Sequence, residues 1–68
     1  MNVEKFNMEL RKFLKKVGIT SQREIEEAVR QGMEAGKLKG RESLRAVMRL
    51  EIVSIGLDTT IEGTIDLE

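Results

Sequence analysis

The chain predicts an α+β fold in which two amphipathic helices, about 3–17 and 22–35, pack on one face of a two-stranded antiparallel β-hairpin, about 44–53 and 59–67. Three observations carry this prediction. Apolar residues recur at intervals of three and four as far as Met33, and the apolar period changes to two from Leu44 onward. Between Val17 and Ile25 a helix stop, a turn and a helix start are compressed into one short stretch. Together they give a single compact ααββ domain over residues 1–68.

The first helix is expected from about Val3 to Val17. Val3, Phe6, Leu10, Phe13, Leu14 and Val17 fall on one arc about 100° wide, a core-facing stripe. Both phenylalanines of the chain lie in it, and full burial of each ring is worth roughly 2 to 3 kcal/mol. The opposite face carries Lys5, Arg11, Lys12, Lys15 and Lys16, with Met8 among them. Lys15 and Lys16 would sit in the last turn, where cations complement the helix dipole. This face is a solvated surface or an anion-binding strip, and Met8, flanked by bases, is an adaptable contact residue.

Gly18 is the expected left-handed stop, with Ile19 folding back on Phe13 or Leu14. Ser21 and Glu24 have the spacing of a capping box, which starts the second helix. That helix presents Ile25, Ala28, Val29, Gly32 and Met33 on one side. Gly32 is costly within a helix, so its place on the apolar stripe points to close approach of another backbone. The outer side mixes Arg23, Glu26, Glu27, Arg30 and Glu34 and has no strong sign. Gly36-Lys37-Leu38-Lys39-Gly40 closes the helix; it is read as a cap and loop rather than a phosphate cradle, and Arg41-Glu42-Ser43 continues the loop.

From Leu44, alternate residues Leu44, Ala46, Met48, Leu50 and Ile52 point one way and Arg45, Val47, Arg49, Glu51 and Val53 the other. In the second strand Ile61, Gly63, Ile65 and Leu67 point inward, with a longer connection, Ser54 to Asp58, between the strands. Gly63 leaves a gap in the inner face where a helix or bulge could sit. The hairpin keeps two open edges. With Val47 and Val53 forming a small outer apolar surface, a homodimer is expected to be accessible.

Composition narrows the function classes. At 68 residues the chain holds one modest core and buries only roughly 60% of its unfolded surface. With no Cys and no His, disulfides and soft-ligand metal sites cannot reinforce it, which leaves self-association or a very regular core. The sequence has no Tyr and no serine in a nucleophile context, so no catalytic residue, metal ligand or cofactor site is assigned, and the chain is not read as an enzyme. The charged start and the lack of a long apolar run argue against secretion and membrane spanning, and a cytoplasmic location is expected. Charge is neutral overall but uneven. Residues 1–49 hold all twelve bases and seven acids, net +5; residues 50–68 hold five acids and no base, net −5.

The favoured reading is a protein-interaction or regulatory module, with Met8, Val47 and Val53 as contact residues. The alternative is a nucleic-acid-binding protein related to a helix-turn-helix or partial winged helix. It would use Lys5, Arg11, Lys12, Lys15 and Lys16 with Lys37, Lys39 and Arg41 of the following loop, joined by Arg45 and Arg49. Against it stand the acidic second helix, the missing third helix and the neutral total charge.

Phe6-Asn7-Met8, the run from Arg11 to Gly18, the run from Thr20 to Glu26, Gly36-Lys37-Leu38-Lys39-Gly40 and Ile61-Glu62-Gly63 together resemble a family of short bacterial proteins known as a domain of unknown function. The likeness covers most of the chain. It implies one compact bacterial domain and no activity, ligand or site residue.

Overall fold

A computed structural model describes the whole chain, Met1–Glu68. The chain divides into two compact units, Met1–Lys37 and Leu38–Glu68.

The first unit is one helix, α1, spanning Val3–Glu34. The two helices expected from the sequence are therefore a single 32-residue element, and there is no corner of the helix-turn-helix kind. Asn2 caps the start, its side-chain oxygen accepting the Lys5 N–H at 3.0 Å. At the other end Gly36 takes a left-handed φ of 75°. The Lys37 N–H then reaches the Gly32 carbonyl at 2.9 Å and the Gly36 N–H the Met33 carbonyl at 3.2 Å. These are the two reversed bonds of a Schellman cap, so the predicted stop at Gly36 is realised.

Gly18 is not a stop. It is one of the glycines without a positive φ and continues the helix. A glycine there costs about 1 kcal/mol relative to Ala, whereas ending a helix leaves four carbonyls, and restarting one leaves four N–H groups, without intrahelical partners. The chain contains no Pro to force the break. The apolar stripe also needs no turn, because Val17, Ser21 and Ile25 follow at steps of four and carry it through the junction. Ser21, expected to cap a helix, is instead a half-buried member of the stripe. Ile19, expected to fold back as the apolar partner of a cap, is exposed on the helix. Lys15 and Lys16 consequently lie in mid-helix, away from the end of the dipole.

The second unit is the predicted antiparallel hairpin, with β1 at Ser43–Ile52 and β2 at Leu57–Asp66. The register runs from Ser43 opposite Asp66 to Ile52 opposite Leu57 without a bulge. The expected alternation holds: Leu44, Met48 and Ile52 face Ile65, Ile61 and Leu57 on one side, and Ala46 faces Gly63. Two small residues opposite each other account for the gap left by Gly63. The ladder extends once more through the Leu67 N–H to the Glu42 carbonyl at 2.9 Å. The connection is shorter than predicted: a 3₁₀ turn, Val53–Ile55, ends in Gly56 with φ 68°. Val53 thus belongs to the turn and not to the outer strand face shared with Val47.

No residue of the chain is buried. The two phenylalanines, expected to lie in a core, remain half-exposed, Phe6 at 50% and Phe13 at 53%.

Candidate interaction surfaces

The most extensive candidate surface is the apolar stripe of α1. Phe6, Leu10, Phe13 and Ile25 are exposed along it, and Val17, Ser21 and Gly32 are half-buried. Aliphatic and aromatic side chains held on one side of a preformed helix offer area and shape to another protein surface at little further cost in backbone order.

The opposite side of the same helix carries Lys5, Arg11, Lys12, Lys15 and Lys16 around Met8, the grouping anticipated from the sequence. All five bases are exposed, and none takes part in any of the six ion pairs of the structure. Met8 is 61% exposed and, with Arg11, Glu4 and Asn7, lines a shallow groove. Further along α1 the charges neutralise one another. Arg30 donates to Glu27 and, at 2.7 Å, to Glu34, while Gln31 donates to Glu27 at 3.0 Å. The hydrogen bond from Arg30 holds the Glu27 carboxyl below its usual pKa, and the same bond raises that of Arg30. The free positive charge of the helix is therefore concentrated in its first half, with Arg23 the one unpaired base beyond it.

Lys37 follows the helix cap within the first unit, whereas Lys39 and Arg41 belong to the loop that opens the second. There the organising residue is one that sequence reasoning passed over as loop. The Glu42 carboxylate accepts the backbone N–H groups of Lys39, Gly40 and Arg41 at 2.9 to 3.1 Å. Successive N–H groups do converge, contrary to expectation, but the chain's own carboxylate fills the nest. Those bonds, with Lys39 first, lower the Glu42 pKa. The Gly40-Arg41-Glu42 order holds the only local hint: a carboxylate placed directly after the glycine-flanked turn.

On the hairpin the polar face is internally paired. Arg45 reaches Glu62 at 2.6 Å, and Arg49 reaches Asp58 at 2.8 Å and Glu51 at 3.1 Å. Ser43 donates to Asp66 at 2.6 Å. Arg45 and Arg49 are thus committed to their own hairpin, unlike the five bases in the first half of α1. Val47, opposite Glu62 on this face, is 52% exposed, and Val53 in the turn is 79% exposed. With only two strands, each leaves one edge unpaired within the unit.

No group of three or more His, Cys, Asp or Glu side chains is disposed to hold a metal ion. No helix is long and apolar enough to cross a membrane. No curated protein and no solved structure matches the chain. A family model does match, over residues 1–68, and its description is a family of unknown function, DUF6494. The likeness read from the sequence motifs thus holds over the full length, and the chain belongs to the DUF6494 family of unknown function.

Proposed function

We propose that the chain is a non-enzymatic protein-interaction or regulatory module of a bacterial cytoplasm, acting through the apolar stripe of α1. The observation that carries this reading is that none of its residues is buried while both phenylalanines stand half-exposed on one helix face. A contiguous apolar surface of this kind is costly in water and marks a contact site. The cysteine-free composition suits a reducing compartment.

The test compares immobilised wild-type chain with the Phe6→Ser/Phe13→Ser double variant in capture from native cell extract. A defined protein retained by the wild type and lost by the variant, further copies of the chain included, is the expected result. Identical retained sets would remove the stripe as the contact surface.

A second reading rests on a separate observation, the five unpaired bases on one side of the first half of α1. They would engage nucleic-acid phosphates without base readout, since the corner that would place a recognition helix is not formed. Titration of labelled duplex DNA at two salt concentrations tests it. Saturable, salt-sensitive binding that Lys12→Glu/Lys16→Glu abolishes is expected on this reading, and its absence at tens of micromolar protein removes it.

A further inference from the structure

The stripe of α1 has a property that a single chain does not use. Eight of its positions, from Phe6 to Gly32, continue at steps that read the same from either end and are centred on Ile19, whereas Leu14, Val29 and Met33 on its flanks fall outside this symmetry. Reversal about that centre exchanges Phe6 with Gly32, Leu10 with Ala28, Phe13 with Ile25 and Val17 with Ser21. Each large side chain is matched to a smaller one, the largest disparity lying outermost, where a phenylalanine meets a glycine. A palindromic stripe is what an isologous contact about a two-fold axis requires, because the same patch must complement itself when reversed.

Charge follows the same symmetry. From Val3 to Val17 the helix carries five bases and two acids, net +3; from Gly18 to Glu34 it carries two bases and four acids, net −2. Antiparallel pairing lays the positive half of one helix along the negative half of its partner, and also opposes the helix dipoles. Parallel pairing would set positive on positive and Phe6 on Phe6.

We propose that α1 pairs antiparallel with the α1 of a second copy of this chain, about a two-fold axis level with Ile19, each Phe6 ring lying over the partner helix at Gly32. This rests on the interaction reading above and names its partner. It also supplies a reason for a glycine on the apolar side of a helix: the Phe6 ring of the second copy occupies the place a side chain would take.

The experiment uses the full chain, which has no native Cys. A nitroxide attached to Glu4→Cys, an exposed position off the stripe, reports the distance between the two N-termini. Fifteen residues from the axis on each helix, the two labels should lie about 45 Å apart at 1.5 Å rise per residue. Light scattering should give twice the chain mass. Gly32→Leu should weaken dimerisation about tenfold or more while keeping the helix signal, and adding Phe6→Ala should restore it by exchanging large for small. Labels within about 20 Å, which means parallel pairing, would overturn the proposal. So would a strict monomer, or a dimer indifferent to Gly32→Leu. A monomer whose capture of another protein still depends on Phe6 and Phe13 would overturn the dimer and leave the interaction reading standing.

Discussion

Both carboxylate oxygens of Glu42 accept the backbone N–H of Lys39, at 3.1 and 2.9 Å. With the Gly40 and Arg41 N–H groups added, a single side chain organises the loop that leads into β1. The carboxylate is the favoured form, so the Glu42 pKa lies below the ordinary 4.5. A carboxyl lowered in the folded chain contributes stability that is present above its unfolded value and is lost as pH falls through the lowered one. In an NMR titration the amide shifts of Lys39, Gly40 and Arg41 should therefore move together with a midpoint below 4.5. A midpoint at or above that value would dissolve the nest. Glu42→Ala should leave the three amides exchanging with solvent faster than in the wild type, with the helix signal unchanged.

Two glycine substitutions should have opposite signs. Gly18 is helical, and a Cβ there meets nothing within 4 Å. Gly18→Ala should therefore stabilise α1 by about 0.5 to 1 kcal/mol. Had Gly18 been the left-handed stop suggested by its surroundings, the same change would destabilise. Gly36 also has open space around a Cβ, but its φ is 75°. Gly36→Ala should cost about 1 to 2 kcal/mol through backbone strain alone. Thermal unfolding followed by circular dichroism measures both.

The outer valines should matter little. Val47 lies on the paired polar face of the hairpin and Val53 in the turn, so they do not form one surface on the strand. Val47→Thr/Val53→Thr should leave the mass in light scattering unchanged. A fall to half that mass would move the contact from α1 to the hairpin.

Much of the fold was legible in the sequence because it is locally encoded. The period-two alternation from Leu44 is read correctly as a strand, since one residue of slippage would reverse every side chain. Gly36 is read correctly as a stop because the helical pattern ends there. The failure at Gly18 has a physical cause. Gly18 and the Ser21–Glu24 spacing are local stop and start signals, each worth about 1 kcal/mol, and they compete with the loss of backbone hydrogen bonds on both sides of a break. The stripe could have arbitrated: it continues through Ser21 if a serine is admitted to the apolar face. The basic side of α1 was legible as a periodic pattern, whereas the Glu42 nest was not, because it depends on backbone N–H directions that composition does not encode. The exposure of Phe6 and Phe13 was hidden for a different reason: an amphipathic stripe specifies that it must be covered, not by what.

The central claim is that the α1 stripe is completed by protein contact, with a second copy as the partner. The most direct measurement is the thermal midpoint of the helix signal as a function of protein concentration. For a dimer, a hundredfold rise in concentration adds about 2.7 kcal/mol of stability, so the midpoint should climb steadily. Phe6→Ser/Phe13→Ser should abolish the climb. A wild-type midpoint that stays constant over about a hundredfold range, and matches that of the double variant, would contradict the account.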